Sequence, residues 1–355
     1  MDFVTQVTLG GAVGQATMHR ELGNKAVLWG LLAGALPDLD VVAYPLMDAV
    51  TQLTWHRSIS HSILLVVVLS PLLGWLIARL HHYEVTVEKA TLFSFLALGS
   101  HILIDLFTTY GTQIFAPFAD TQVAWNLLFI IDPLFTLPLL LFLLLSMLPG
   151  EVRARQFRNA AGLILALAYV ITALLFKFSA DTAFERAFAR QKIPVQRMMT
   201  TPTPLNTILW RGVAETADGY YIGYHSMLDG SEYIPLWFVP RNEKLLEGFQ
   251  DQRAIQVLQW FSDGWYSAEQ TPEGLFFRDL RYGEFDAVEP ANSYGVAPPL
   301  DLEFMFTFTI LDTGVEGHDR LTFEGPNFPM PDIEQAFDLL WKRIKGVSRV
   351  PVAGK

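Results

Sequence analysis

Three histidines and three aspartates of the N-terminal half fall in short motifs. These are Pro37-Asp38-Leu39-Asp40, His56-Arg57-Ser58-Ile59-Ser60-His61-Ser62 and His101-Ile102-Leu103-Ile104-Asp105. Gln6 and the pair Asp132-Pro133 stand in equally apolar surroundings. Neutral imidazole together with carboxylate is a donor set for a divalent ion: Zn first, with Mn or Fe also suited. Carboxylates can bridge two such ions, so the centre holds one or two. The chain has no cysteine, which excludes thiolate catalysis, a cysteine-based zinc site and a disulfide framework.

Each motif also has a plainer reading. His101 and Asp105, four residues apart on one helical stripe, could hydrogen-bond to each other. Pro37-Asp38-Leu39-Asp40 could be a helix terminus, and Asp132 could cap the helix that Pro133 opens. Arg57 suits a lipid headgroup or a carboxylate partner. His81 and His82 adjoin a charged loop, and His225 and His318 are lone histidines of the second half. The group argues differently from its members, because an unpaired ionised Asp in a membrane segment costs about 2.5–3.5 kcal/mol. A metal ion compensates the aspartates and also uses the histidines.

The elements that must position these residues are apolar. The chain is 51% hydrophobic and 17% charged, against about 25% charged in soluble domains. The deficit lies in residues 1–180, which hold 11 Asp+Glu and 9 Lys+Arg and leave 25 and 16 for residues 181–355. A net charge of −11 argues against nucleic acid as a partner. Uncharged or nearly uncharged runs cover residues 3–18, 62–78, 90–107, 127–148 and 159–176, with a shorter one at 26–37. They predict a membrane α-helical bundle of about five transmembrane helices plus a short or re-entrant helix.

After residue 180 the pattern changes. Pro194, Pro202 and Pro204 mark residues 181–204 as a linker. Residues 205–355 read as a smaller, mainly β (α+β) soluble domain. Its short runs are Ile208–Val213, Tyr220–Tyr224, Ala254–Phe261, Leu275–Leu280 and Leu302–Leu311, followed by a helix at Ile333–Ile344 after Pro331-Asp332. Arg153, Arg155 and Arg158, with Arg20, Lys25, Arg79 and Lys89, place three loops in the cytoplasm. All the metal motifs then share the opposite face, and the soluble domain is extracytoplasmic.

The stretches VTQVTLGGAVGQA, GALPDLD, HRSISHS, SHILIDLFTTYGTQ and FIIDPLF resemble the bacterial inner-membrane metal-dependent hydrolases of the YdjM/YbcI type, over about residues 1–180. The later stretch TPTPLNTILWRGVAETADGYYIGYHS is similar to the C-terminal region of a subgroup. The resemblance implies metal ligands at Asp38, Asp40, His56, His61, His101 and Asp105. Many relatives carry His where this chain has Gln6, a weaker ligand; either the site holds one fewer strongly bound ion, or Gln6 contacts substrate or bound water. Gln6, Arg57 and Tyr110 are the expected substrate-facing or ligand-orienting groups, and Asp40 or Asp132 the expected general base.

Two functions compete. In the first, metal-activated water attacks an ester or phosphoester of a membrane lipid or other amphiphile. In the second, the metal is structural and the soluble domain binds a protein partner. A transporter is disfavoured, since a transport path needs polar groups through the bilayer midplane. The topology has a direct check. A cysteine replacing Ala154 should resist impermeant thiol reagents applied outside the cell, and one replacing Gly230 should react. The reverse labelling would overturn the orientation.

Overall fold

The computed structural model describes residues 1–284, 304–327 and 333–346. Cα packing divides the chain into two units. One comprises Met1–Met47, Thr54–Ala173 and Pro204–Asn206; the other Asp48–Leu53, Leu174–Thr203 and Thr207–Lys355.

The first unit is helical: α1 (Phe3–Leu22), α2 (Lys25–Ala35), a 3-10 helix at Pro37–Leu46, a 3-10 turn at Ile59–His61, α4 (Ile63–Leu80), α5 (Val87–Leu106) and α6 (Pro133–Met147). The short α3 (Ala49–Trp55) interrupts this series, and α7 (Val152–Arg190) begins here and ends in the second unit. Among the described residues, α4, α5 and α7 are long and apolar enough to cross a membrane. Counting α2 with the following 3-10 helix as one bent element, at 46°, gives a fourth.

The expectation of about five spanning helices is therefore corrected, for two physical reasons. The run 127–148 becomes a helix of only 15 residues because Asp132 caps it and Pro133 starts it, and 15 residues rise roughly 22 Å, short of the ~30 Å hydrocarbon core. Helix α1 has 20 residues but turns Thr5, Gln6, Thr8, Gln15 and His19 into the protein. These polar residues leave it outside the set of helices apolar enough to cross a membrane.

Glycine brings α1 and α2 together. A Cβ on Gly14 would lie 2.1 Å from the Ala26 carbonyl oxygen, and one on Gly10 would lie 2.3 Å from that of Gly30. Gly34 sits equally close to the Gln6 backbone, with its hypothetical Cβ 2.5 Å from that carbonyl oxygen. Small residues at i and i+4 let helix backbones approach this closely in membranes. Here they set Gln6 beside the end of α2.

Among the described residues, the second unit carries two four-stranded antiparallel sheets, each in sequential order. The first holds β1 (Arg197–Pro202), β2 (Leu209–Glu215), β3 (Gly219–Ser226) and β4 (Trp237–Pro240). The second holds β5 (Tyr266–Thr271), β6 (Gly274–Asp279), β7 (Thr307–Asp312) and β8 (Leu321–Asn327). Residues 181–204, read from their prolines as a linker, contain the end of α7 and strand β1.

Ala254–Phe261, read among the β-type runs, is helix α8 (Arg253–Phe261). Its buried Ala254, Ile255, Leu258 and Phe261 recur at helical spacing, which overrides the β-prone side chains. Helix α9 covers Ile333–Ile344 as expected; Leu302 and Pro331-Asp332 lie outside the described residues. Phe184 and Phe188 of α7 pack with Trp210 and Ile234. Arg343 pairs with Asp229 at 2.7 Å. Burial pushes the Asp229 carboxyl up, but His225 and Arg343 outweigh it and hold it well below the usual carboxylate range.

The glycine contacts are testable. Gly14→Leu should cost more than the ~1–3 kcal/mol typical of side-chain overpacking, because the obstacle is backbone. Gly99→Ala, where a Cβ meets nothing within 4 Å, should be neutral. Thermal unfolding of both variants in detergent, followed by circular dichroism, gives the comparison.

Candidate metal centre

Helix α2 ends because Pro37 has no N–H to continue it. The last-turn carbonyls therefore lack intrahelical partners. That of Gly34 accepts a hydrogen bond from His101 Nδ1 at 2.7 Å. The proton on Nδ1 leaves His101 Nε2 as a bare lone pair.

His61 is fixed in the same tautomer by a different route. Ser60 Oγ donates to Asp40 Oδ2 at 2.6 Å, so this oxygen must accept from His61 Nδ1 at 2.8 Å. His61 Nε2 is then also bare. The two Nε2 atoms face each other at 3.2 Å.

Two carboxylates complete the group. Asp38 Oδ1 lies 3.3 Å from His61 Nε2 and 3.5 Å from His101 Nε2. Asp105 Oδ2 lies 3.4 Å and 3.5 Å from the same two atoms. It has no hydrogen-bond partner although it is buried. Asp38, His61, His101 and Asp105 thus offer four ligand atoms, all within 4.8 Å of one another. A tetrahedron with metal bonds of 2.0–2.2 Å has edges of roughly 3.3–3.6 Å. The five distances above match that size. Facing acceptors with an orphaned buried oxygen fit a divalent cation, since without positive charge between them they repel. Both histidines anchor their other nitrogen as metal-ligating histidines do.

The surrounding residues hold this group. Asp105 divides its oxygens. Oδ1 receives Arg57 Nη2 at 3.0 Å, Gln6 Nε2 at 3.0 Å and the Met1 ammonium, which leaves Oδ2 to the group. Gln6 also donates to the His101 carbonyl at 3.3 Å, and its own Oε1 is buried without a partner. Arg57 is buried, donates to Thr108 Oγ1 at 3.0 Å and lies 4.8 Å over the Tyr110 ring. Its backbone adopts φ 59°, a left-handed conformation that non-glycine residues reach at some cost.

Asp40 and His56 sit beside the group rather than in it. His56 Nδ1 is 3.0 Å from Asp40 Oδ1, and the rings of His56 and His61 are 5.6 Å apart. Asp132 accepts from the backbone N–H groups of Leu134 and Phe135 and, at 2.8 Å, from the Tyr169 hydroxyl. It is engaged as a helix cap. Ser60 and the Gly34 carbonyl were not singled out from the sequence. Ser60 lay in plain view within HRSISHS, whereas a backbone acceptor leaves no mark on residue type.

Residues 1–183 match the family model described as YdjM inner membrane protein. A similar curated protein is the uncharacterized protein YfhP of Bacillus subtilis (strain 168), 26% identical over 278 residues. The match covers 73% of this chain and 80% of that protein, so it extends past residue 183. No solved structure matches.

Metal content follows from the geometry. His101→Ala and Asp105→Ala should lose the ion on purification, while Asp132→Ala should retain it. Ser60→Ala should weaken affinity about 10- to 100-fold, as loss of a ligand-orienting partner does. Elemental analysis and competition with a chelator read all of these.

Proposed function

The chain belongs to the YdjM inner membrane protein family, and from that premise we propose that it is a membrane-embedded metal-dependent hydrolase acting on an ester or phosphoester of an amphiphile. The observation that carries the reading is the convergence of two bare imidazole nitrogens and two carboxylates on one point. When bound, a divalent ion there, zinc by its fit to mixed nitrogen and oxygen donors, polarises such a substrate and acidifies water.

The chain's own residues supply the rest. Asp40 holds Nδ1–H of His56, so Nε2 is the basic nitrogen. His56 keeps 18% of its side chain exposed, beside buried His61, and accepts a proton at Nε2. Asp40 orients the ring and stabilises the imidazolium. Asp40 therefore works through His56, and Asp132 serves its helix. Arg57 balances Asp105 and is committed to it. Exposed Leu39, Val42 and Ile59 rim this side, a surface that suits an acyl chain.

One observation favours a structural ion instead. Four protein ligands close a site, whereas catalytic zinc keeps a position open. A single experiment separates the two. Zinc-loaded protein in nanodiscs is screened against phospholipids and phosphodiesters, then compared with Asp40→Asn and His56→Ala. Hydrolysis predicts turnover lowered 10²- to 10⁴-fold in the variants with metal content largely retained. No turnover by fully loaded wild-type protein, with unfolding on chelation, would establish the structural reading.

A further inference from the structure

The last helix of the second unit has one face fixed and one face bare. Arg343 is buried, paired with Asp229 and donating to the Tyr224 carbonyl at 2.7 Å. Ile344 enters the core cluster, and Leu340 packs against it. These contacts lock the rotation of α9. Phe337 and Trp341, one turn apart, therefore stay outside, 57% and 50% exposed. Lys345 Nζ lies 5.2 Å over the Trp341 ring, and Lys342 pairs with Asp338 on the same exposed side.

Charge singles out the same segment. Residues 333–355 contain five Lys+Arg and two Asp+Glu, a net +3. Residues 181–332 contain 11 and 23, a net −12. An aromatic pair framed by lysines is the composition of a helix that lies in a membrane interface: rings enter the headgroup boundary while lysine stems reach back to phosphate. We infer that the exposed face of α9 docks onto the surface of an anionic lipid bilayer. Lys342 and Lys345 beside the exposed rings, and the repulsion of the −12 carried by residues 181–332, orient the domain with this face toward the lipid. Because α7 is a candidate span continuous with this unit, the bilayer is always within reach of the tether.

The absence of cysteine makes the test clean. A nitroxide on Phe337→Cys is introduced into the full chain, reconstituted in phosphatidylcholine vesicles with or without phosphatidylglycerol. Collision with oxygen and with a water-soluble nickel chelate reports its surroundings. The label should be shielded from nickel in the anionic vesicles only. Lys342→Gln with Lys345→Gln should lower the ratio of shielded to exposed label roughly thirtyfold, at about one kcal/mol per basic residue near an anionic surface. Equal nickel access in both compositions would overturn the inference. So would concentration-dependent shielding in lipid-free detergent, which would mean that the face pairs copies of the chain.

Discussion

Two imidazole lone pairs held 3.2 Å apart are the constraint around which the helical unit is arranged. Left alone they repel, and so do the carboxylate oxygens beside them. The protein maintains the approach by tying each ring from behind. Gly34, at the frayed end of α2, holds His101, and Asp40 acting through Ser60 holds His61. Neither tie works without its scaffold. The Gly34 carbonyl is available because Pro37 stops α2, and it is correctly placed because glycines seat α2 on α1. Gln6 then rests on Asp105 from that same α1. Backbone proximity, helix termination and the His101 tautomer are successive consequences of a few glycines and one proline.

Arg57 shows how charge is balanced in this setting. It is a buried cation beside a buried anion, and such a pair is costly to desolvate unless its remaining hydrogen bonds are met. Thr108 and the Tyr110 ring help to satisfy the guanidinium. Occupying Asp105 Oδ1 with Arg57 also frees Oδ2, so a single carboxylate is neutralised on one side and available on the other.

Much of this was legible in the sequence because the relevant signals are local. A separation of four residues puts His101 and Asp105 on one stripe, and a charge-poor background makes each aspartate conspicuous. The sorting within the six candidate ligands was not legible. Asp40 and His56 have the same residue types as Asp38 and His61, and only the path of the irregular chain from Pro37 to His61 decides which pair points inward. The helix count failed where hydropathy ignores termini. Residues 127–131 are as apolar as those that follow, yet the Asp132-Pro133 cap excludes them from α6. In the second half, Ile255, Val257, Trp260 and Phe261 carried β-type residues in a helical rhythm, and the rhythm decided the outcome.

The glycine seam between α1 and α2 has a consequence for exposure. A contact made of backbone has no side-chain rotamers through which to open. Of the four gathered side chains, Asp38 alone retains appreciable exposure, at 22%, with His56 beside it. The group therefore meets its surroundings at Asp38 and His56, whereas the side toward α1 and α2 is backbone packed on backbone.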